Sequence, residues 1–168
     1  VATAMSDLYV VPVYSTAFLN PFDDRSLDFV CRYFNKDGAL APFAPDNILA
    51  RADELFRKAT GLELRALGEI EFYLLSDGGK EIFPPRHQKG YHNASPFAKT
   101  GAIANEILRR ITQITGAVKY VHNEVGYVDG VRSEMEEIKG KRAEQLEVEF
   151  LPRPITEMAD DTVIGRWL

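Results

Sequence analysis

Cysteine is almost absent. Cys31 stands alone among 168 residues, which excludes an internal disulfide framework and suits a reducing compartment. Positive charge is scarce as well: 20 lysines and arginines face 25 acidic residues, for a net charge of −5. The chain therefore lacks the basic face that nucleic-acid binding requires. Long apolar runs are missing, so no stretch reaches the length of a membrane span, and no charged-then-apolar leader precedes Val1. Repeats and low-complexity segments are missing too. Together these absences point to a cytoplasmic globular protein with neither nucleic acid nor membrane among its partners. The starting methionine is also absent, and the other end, Trp167-Leu168, falls midway through a helical pattern. We expect a piece of a longer chain.

What is present is enough apolar residue, 45% of the chain, to bury one sizeable core. The most informative stretch is Gly68-Glu69-Ile70-Glu71-Phe72-Tyr73-Leu74-Leu75. On a strand, alternation sends Glu69, Glu71 and Tyr73 to one face and Ile70, Phe72 and Leu74 to the other. Two like charges about 7 Å apart, two steps of roughly 3.3 Å, repel unless water or a cation answers them. Val118 to Val125 repeats the design, with Tyr120, His122 and Glu124 against Val121, Asn123 and Val125. Gln145 to Phe150 does so again, with Gln145, Glu147 and Glu149 against Leu146, Val148 and Phe150.

Around these strands the chain reads as follows. Leu8 to Tyr14 is an edge strand, since Pro12 lacks a donor, and Leu27 to Phe34 is a second strand that places Cys31 in the core. Residues 46 to 60 form a helix capped by Asp46, with apolar positions Ile48, Ala52, Leu55, Phe56 and Ala59 and with Gly61 as its left-handed stop. Residues 62 to 75 hold the central strand, 76 to 94 are irregular, and 96 to 115 form a helix with Ile103, Ile107, Ile111 and Ile114 on one face. Tyr127 to Arg142 is a charged excursion, and a last helix starts at Thr156. Gly78-Gly79-Lys80 lacks the remaining residues of a phosphate-binding loop and reads as a turn. The fold class is α+β: a mainly antiparallel sheet with helices on its apolar face, preceded by a small β unit that ends near Gly38 to Pro45.

Spacing alone leaves two readings open for the acidic face. One is a solvated β surface. The other is a site where Glu69, Glu71, Glu124 and Glu147 converge on a hard divalent cation; such cations take oxygen ligands, so Mg²⁺ or Mn²⁺ suits the set better than Zn²⁺. His122 beside Glu124 reads as a hydrogen-bonded histidine or a general base.

Several of these segments together resemble one family. Gly68-Glu69-Ile70-Glu71-Phe72 resembles the Gly-x-Glu-x-Glu-Phe signature of glutamine synthetases, with one residue fewer between the glycine and the first glutamate. Ser6-Asp7 through Pro12 resembles the Ser-Asp-Met segment near the end of that family's β-grasp domain, and Gly90-Tyr91 its Gly-Tyr-Phe. His122-Asn123-Glu124-Val125 is similar to its His-His-Glu-Val, Gln145-Leu146-Glu147-Val148 to Gly-Gln-x-Glu-Ile, and Ala159-Asp160 to the Ala-Asp pair that follows. Asp46 departs from the usual arginine, Asn123 from the second histidine, and the loop from Gly126 to Ala143 is longer than usual.

The resemblance implies residues 1–40 as the end of the β-grasp domain and 41–168 as the first part of the catalytic domain. It implies Glu71, Glu124 and Glu147 around a first Mg²⁺ or Mn²⁺, Glu69 on a second, and Tyr91 with Glu124 near the ammonium site. The implied reaction is glutamate–ammonia ligation driven by ATP through a γ-glutamyl phosphate, in a protein that forms homo-oligomers at full length, while this piece alone is inactive. The alternatives are a ligase acting on an organic amine and a non-catalytic metal-binding or structural relative.

Overall fold

The computed structural model describes residues 7–78, 80 and 82–168. Ser6 of the Ser-Asp segment and Gly79 of the Gly-Gly turn lie outside the described residues. By its contacts the chain forms two units, Val1–Gly68 with Pro152–Trp167, and Glu69–Leu151 with Leu168.

In the first unit, strand β1 (Tyr9–Pro12) pairs antiparallel with β4 (Cys31–Phe34), and β2 (Phe18–Leu19) with β3 (Leu27–Asp28). The single strand expected over Leu27 to Phe34 is thus broken. Val13 N donates to Val30 O and Val30 N to Thr16 Oγ1, so the chain changes partner at Phe29-Val30. Cys31 is exposed, because its sheet has two strands and its side chain takes the open face. Helix α1 (Pro45–Thr60) ends at Gly61 with φ 72°, as the sequence requires.

Asp46 does not cap α1. The N-cap is Ala44, and the Asp46 carboxylate lies 3.3 Å from Arg32 Nε. The same guanidinium forks onto Asp160 at 2.6 and 2.7 Å, in helix α3 (Ile155–Trp167). One β4 arginine therefore ties two helices, its Nη2 alone donating to both Asp160 oxygens while its Nε faces Asp46. Asn47 and Asp53, rather than Ile48 and Leu55, are the buried side chains of α1; Asn47 Nδ2 donates to Tyr33 O and Ala41 O. Two short strands, β5 (Arg65–Ala66) and β9 (Arg153–Pro154), pair antiparallel.

The second unit is built on β6 (Glu69–Ser76), β7 (Val118–Asp129) and β8 (Arg142–Phe150), in the order β6-β8-β7 with both pairings antiparallel. The glutamate strand at 69 to 76 is an edge of this sheet, and β8 is its centre. Centrality explains why β8 buries residues on both faces: Leu146, Val148 and Phe150 on one, Glu147 on the other. Both β7 and β8 run further than expected, taking Tyr127–Asp129 and Arg142 from the charged excursion and Ala143 and Glu144 beyond it, because Tyr127, Val128 and Asp129 pair with Glu144, Ala143 and Arg142.

Helix α2 (Gly101–Thr115) starts five residues later than Ser95-Pro96 suggests. The cause is Glu144, whose buried carboxylate accepts from Lys99 N at 3.0 and 3.1 Å and from Thr100 N at 3.1 Å. A carboxylate on β8 thus binds the N-cap Thr100 and the residue before it, and sets where the helix begins. Thr100 Oγ1 also accepts from Asn123 Nδ2, which holds α2 on the Leu146 face with Ile111 fully buried. The fold is α+β with an antiparallel sheet. Among the described residues no helix is long and apolar enough to cross a membrane.

Candidate functional site

Register decides which carboxylates meet. Glu71 stands opposite Glu147, which stands opposite His122, while Glu69 stands opposite Glu149, which stands opposite Tyr120. These side chains therefore project from one face, away from the Phe72–Leu146 side. Glu124 joins them as the next alternate residue after His122, at the start of an irregularity in β7: between Asn123 and Tyr127, three residues, Glu124, Val125 and Gly126, face Gln145 alone. The extra residues free the chain from strict alternation and bend it at the site.

A second segment is laid along the other side of β7. Gln88 N donates to Tyr127 O, Gly90 N to Val125 O and His92 N to Asn123 O. Gly90 permits this approach, because a Cβ there would come within 2.5 Å of Glu124 O. The segment presents Tyr91 and His92 to the sheet. His92, at φ 52°, stacks on His122 with centroids 4.3 Å apart and planes 24° apart. Tyr91 meets His122 edge-on at 5.7 Å, and Tyr120 lies 5.1 Å from His122 on another side.

His122 is the hub. Its Nδ1 lies 3.0 Å from Asn123 O and 3.7 Å from Glu124 Oε1, and its Nε2 lies 3.3 Å from Glu147 Oε2 and 3.6 Å from Glu149 Oε1. Ligand atoms of His122, Glu124 and Glu147 gather within 4.8 Å of one another, as do those of Glu69, Glu147 and Glu149. Glu147, 6% exposed, belongs to both groups. Burial, a hydrogen bond with Glu124 and the charge of Glu69 push its carboxyl up to about 7, against a downward pull from His122. Glu149 is drawn the other way, below the ordinary range, by hydrogen bonds from Lys119 Nζ at 2.7 Å and Tyr120 OH at 2.5 Å.

This arrangement fits a hard divalent cation. Oxygen donors converge from two strand pairs, burial and neighbouring carboxylates push the Glu147 carboxyl up to about 7, and buried His122 Nε2 has no hydrogen-bond partner among the described residues. An ion there would relieve all three. Of the expected ligands, Glu124 meets Glu147 in one group and Glu69 meets Glu147 in the other. Glu71 shares the face but is engaged by Gln145, whose Nε2 donates to Glu71 Oε2 at 2.7 Å, and it enters neither group of convergent ligand atoms. Sequence reasoning left out Glu149 and His92. Glu149 was legible as the next alternate position after Glu147. Nothing local marked His92, whose role depends on the strand-like pairing of residues 88–92.

Gln145 is also the keystone of the bend. Its Oε1 accepts from Gly126 N at 3.1 Å and from Tyr73 OH at 3.4 Å. A Cβ on Gly126 would lie 2.4 Å from that oxygen and 2.2 Å from the Tyr73 hydroxyl. Gly126→Ala is therefore expected to push aside the Gln145 carboxamide and the Tyr73 hydroxyl, both side-chain ends, release Glu71 and cost about 1 kcal/mol, the worth of the hydrogen bonds lost. Thermal denaturation beside the unmutated chain measures it, and an unchanged melting temperature would contradict the contact.

No family model matches the sequence, and no curated protein matches it. Among solved structures the chain is similar to the GmaS/ADP complex in its conformation 1, with a TM-score of 0.71 and 15% identity. GmaS is a γ-glutamylmethylamide synthetase, a glutamine-synthetase-like enzyme. The likeness covers 99% of this chain and 35% of that one. The chain thus has the fold of a segment of a glutamine-synthetase-like protein, and spans about a third of the length of GmaS.

Proposed function

We propose that this chain is part of an ATP-dependent ligase of the glutamine synthetase type, which joins ammonia to the γ-carboxylate of L-glutamate by way of a γ-glutamyl phosphate. The observation that carries the reading is the likeness to the GmaS/ADP complex along 99% of the chain, on a sheet whose acidic face gathers Glu69, Glu124 and Glu147. In this reading Glu71, Glu124 and Glu147 would hold one Mg²⁺ or Mn²⁺, and Glu69 would help hold a second. The clustering adds Glu149 and His122 to the candidates and gives Glu71 an orienting bond to Gln145. When bound, the metal supplies neutralising charge to the phosphoryl group in transfer.

The chain's own residues do the rest. Glu124 attracts the ammonium ion and takes the proton it must lose before its nitrogen attacks the acyl phosphate and phosphate departs. Tyr91 walls the same side, with its ring edge-on to His122. Residues 1–40 belong in this proposal to the end of a β-grasp-like domain and 41–168 to the first part of the catalytic domain. The full-length protein is a cytoplasmic homo-oligomer.

A second reading, in which the acceptor is an organic amine, is favoured by the rings beside Glu124. Tyr91, His92, Tyr120 and His122 form one contiguous group, and π faces next to a carboxylate suit an alkylammonium ion. ADP release by the longer protein that carries this chain, given Mg²⁺, ATP and glutamate, tests both. Turnover that requires glutamate and is faster with ammonium than with methylammonium supports the first reading, and the reverse preference supports the second. ATP hydrolysis indifferent to glutamate sinks both. The 168-residue chain alone is expected to show no turnover.

A further inference from the structure

Away from the acidic face, the irregular stretch before α2 borders an open cavity of about 340 Å³ lined by Pro84, Pro85, Arg86, Lys89, Asn93 and Phe97. Its walls are held in place. Lys89 N donates to Arg86 O, Asn93 Nδ2 donates to Lys89 O, and residues 88–92 are bonded to β7. Phe97 is braced edge-on by Phe83 at 5.8 Å and is 47% exposed, so part of its ring is free. In a chain of net charge −5, two cations line one small cavity, and neither Arg86 nor Lys89 has an ion-pair or side-chain hydrogen-bond partner among the described residues.

We propose that this cavity binds an oxyanion carried on a flat aromatic ring. The guanidinium of Arg86 is a fork for a carboxylate or phosphate, and Lys89 adds a second charge within the same turn. The ring lies against Phe97, between proline walls that lose little entropy on binding. An occupant would clamp Arg86 and Lys89 toward Phe97. Since Lys89 directly precedes the Gly90–His92 segment, the ligand would also steady the residues that press on His122. The site stands independently of the ligase reading, because none of its residues belongs to the acidic cluster.

Calorimetric titration of the longer protein that carries this chain, in a chelating buffer free of divalent ions, tests the proposal, with phenyl phosphate and benzoate as ligands and inorganic phosphate and phenol as half-ligands. Either whole ligand is expected to bind with a dissociation constant near about 1 mM, and each half-ligand at least about tenfold more weakly. The tighter of phenyl phosphate and benzoate identifies the oxyanion. Arg86→Ala is expected to weaken binding about tenfold, as does loss of a charge-assisted hydrogen bond, and Lys89→Ala several-fold. Phe97→Leu, which keeps apolar volume but removes the ring, should erase the advantage of phenyl phosphate over inorganic phosphate. Lys58→Ala, an exposed cation on α1, should change nothing. Inorganic phosphate binding as tightly as phenyl phosphate, no loss with Arg86→Ala, or an equal loss with Lys58→Ala would each overturn the site.

Discussion

Glu147→Gln is expected to do two opposite things: weaken Mn²⁺ binding by at least roughly tenfold, and raise the melting temperature of the metal-free protein at neutral to alkaline pH. Both follow from one position. Glu147 belongs to both groups of convergent ligand atoms, so its loss removes an oxygen from each. Its carboxyl is pushed up to about 7, above its unfolded value, by burial, the bond with Glu124 and the charge of Glu69. A carboxyl raised in this way contributes stability that is complete below its unfolded pKa and is lost as pH rises through about 7. Glutamine never ionises, so its advantage should be clear at about pH 8 and gone at about pH 4.

Glu149→Gln should behave differently. Its carboxylate is already paired with Lys119 and Tyr120 and held low, so this substitution should cost metal affinity less and bring no alkaline gain. Titration calorimetry with Mn²⁺ and melting curves across pH read both effects. Equal loss of affinity from the two substitutions would mean diffuse attraction to an acidic surface. Stabilisation that is the same at both ends of the pH range would remove the strained carboxyl from the account.

Glu144→Leu is expected to be the most damaging single change to the unit Glu69–Leu151. The Glu144 carboxylate is 4% exposed and satisfies Lys99 N and Thr100 N ahead of α2. Leucine fills similar space but strands both donors where water is excluded, and hydrogen bonds to a charged acceptor are worth about 1.5–3 kcal/mol each. A loss of about 3–5 kcal/mol follows. Glu144→Gln, which keeps one acceptor oxygen, should lose less. Chemical denaturation separates them, and a leucine variant as stable as the glutamine variant would show that α2 is anchored by packing alone.

How far the chain could be read without its fold depends on how local each cause is. Alternation is a property of one strand, so the faces of β6 and β8, the helix stop at Gly61 and the apolar seat of Ile111 were all legible in the residues. Pairing is not local. Nothing in Gly68 to Leu75 says that this strand lies at an edge, and nothing in Gln145 to Phe150 says that it lies at the centre. That order is set by which backbones find each other, and it makes Glu147 the buried, crowded carboxylate in place of Glu71. The start of α2 is likewise decided by a carboxylate 44 residues away in sequence, where Ser95-Pro96 offered a plausible local signal.

The site divides the same way. The repeated glutamates announced an acidic face by themselves, because like charges on alternate positions demand an answer wherever the strand lies. Only the tertiary structure chose among them: pairing of β7 with β8 brings Glu124 to Glu147, the Gln145 carboxamide draws Glu71 into a hydrogen bond, and Lys119 neutralises Glu149. Each choice is made by a partner distant in sequence. The sequence by itself thus determined which residue types share a face, through the two-residue period of the strand, and three-dimensional pairing decided which of those residues meet.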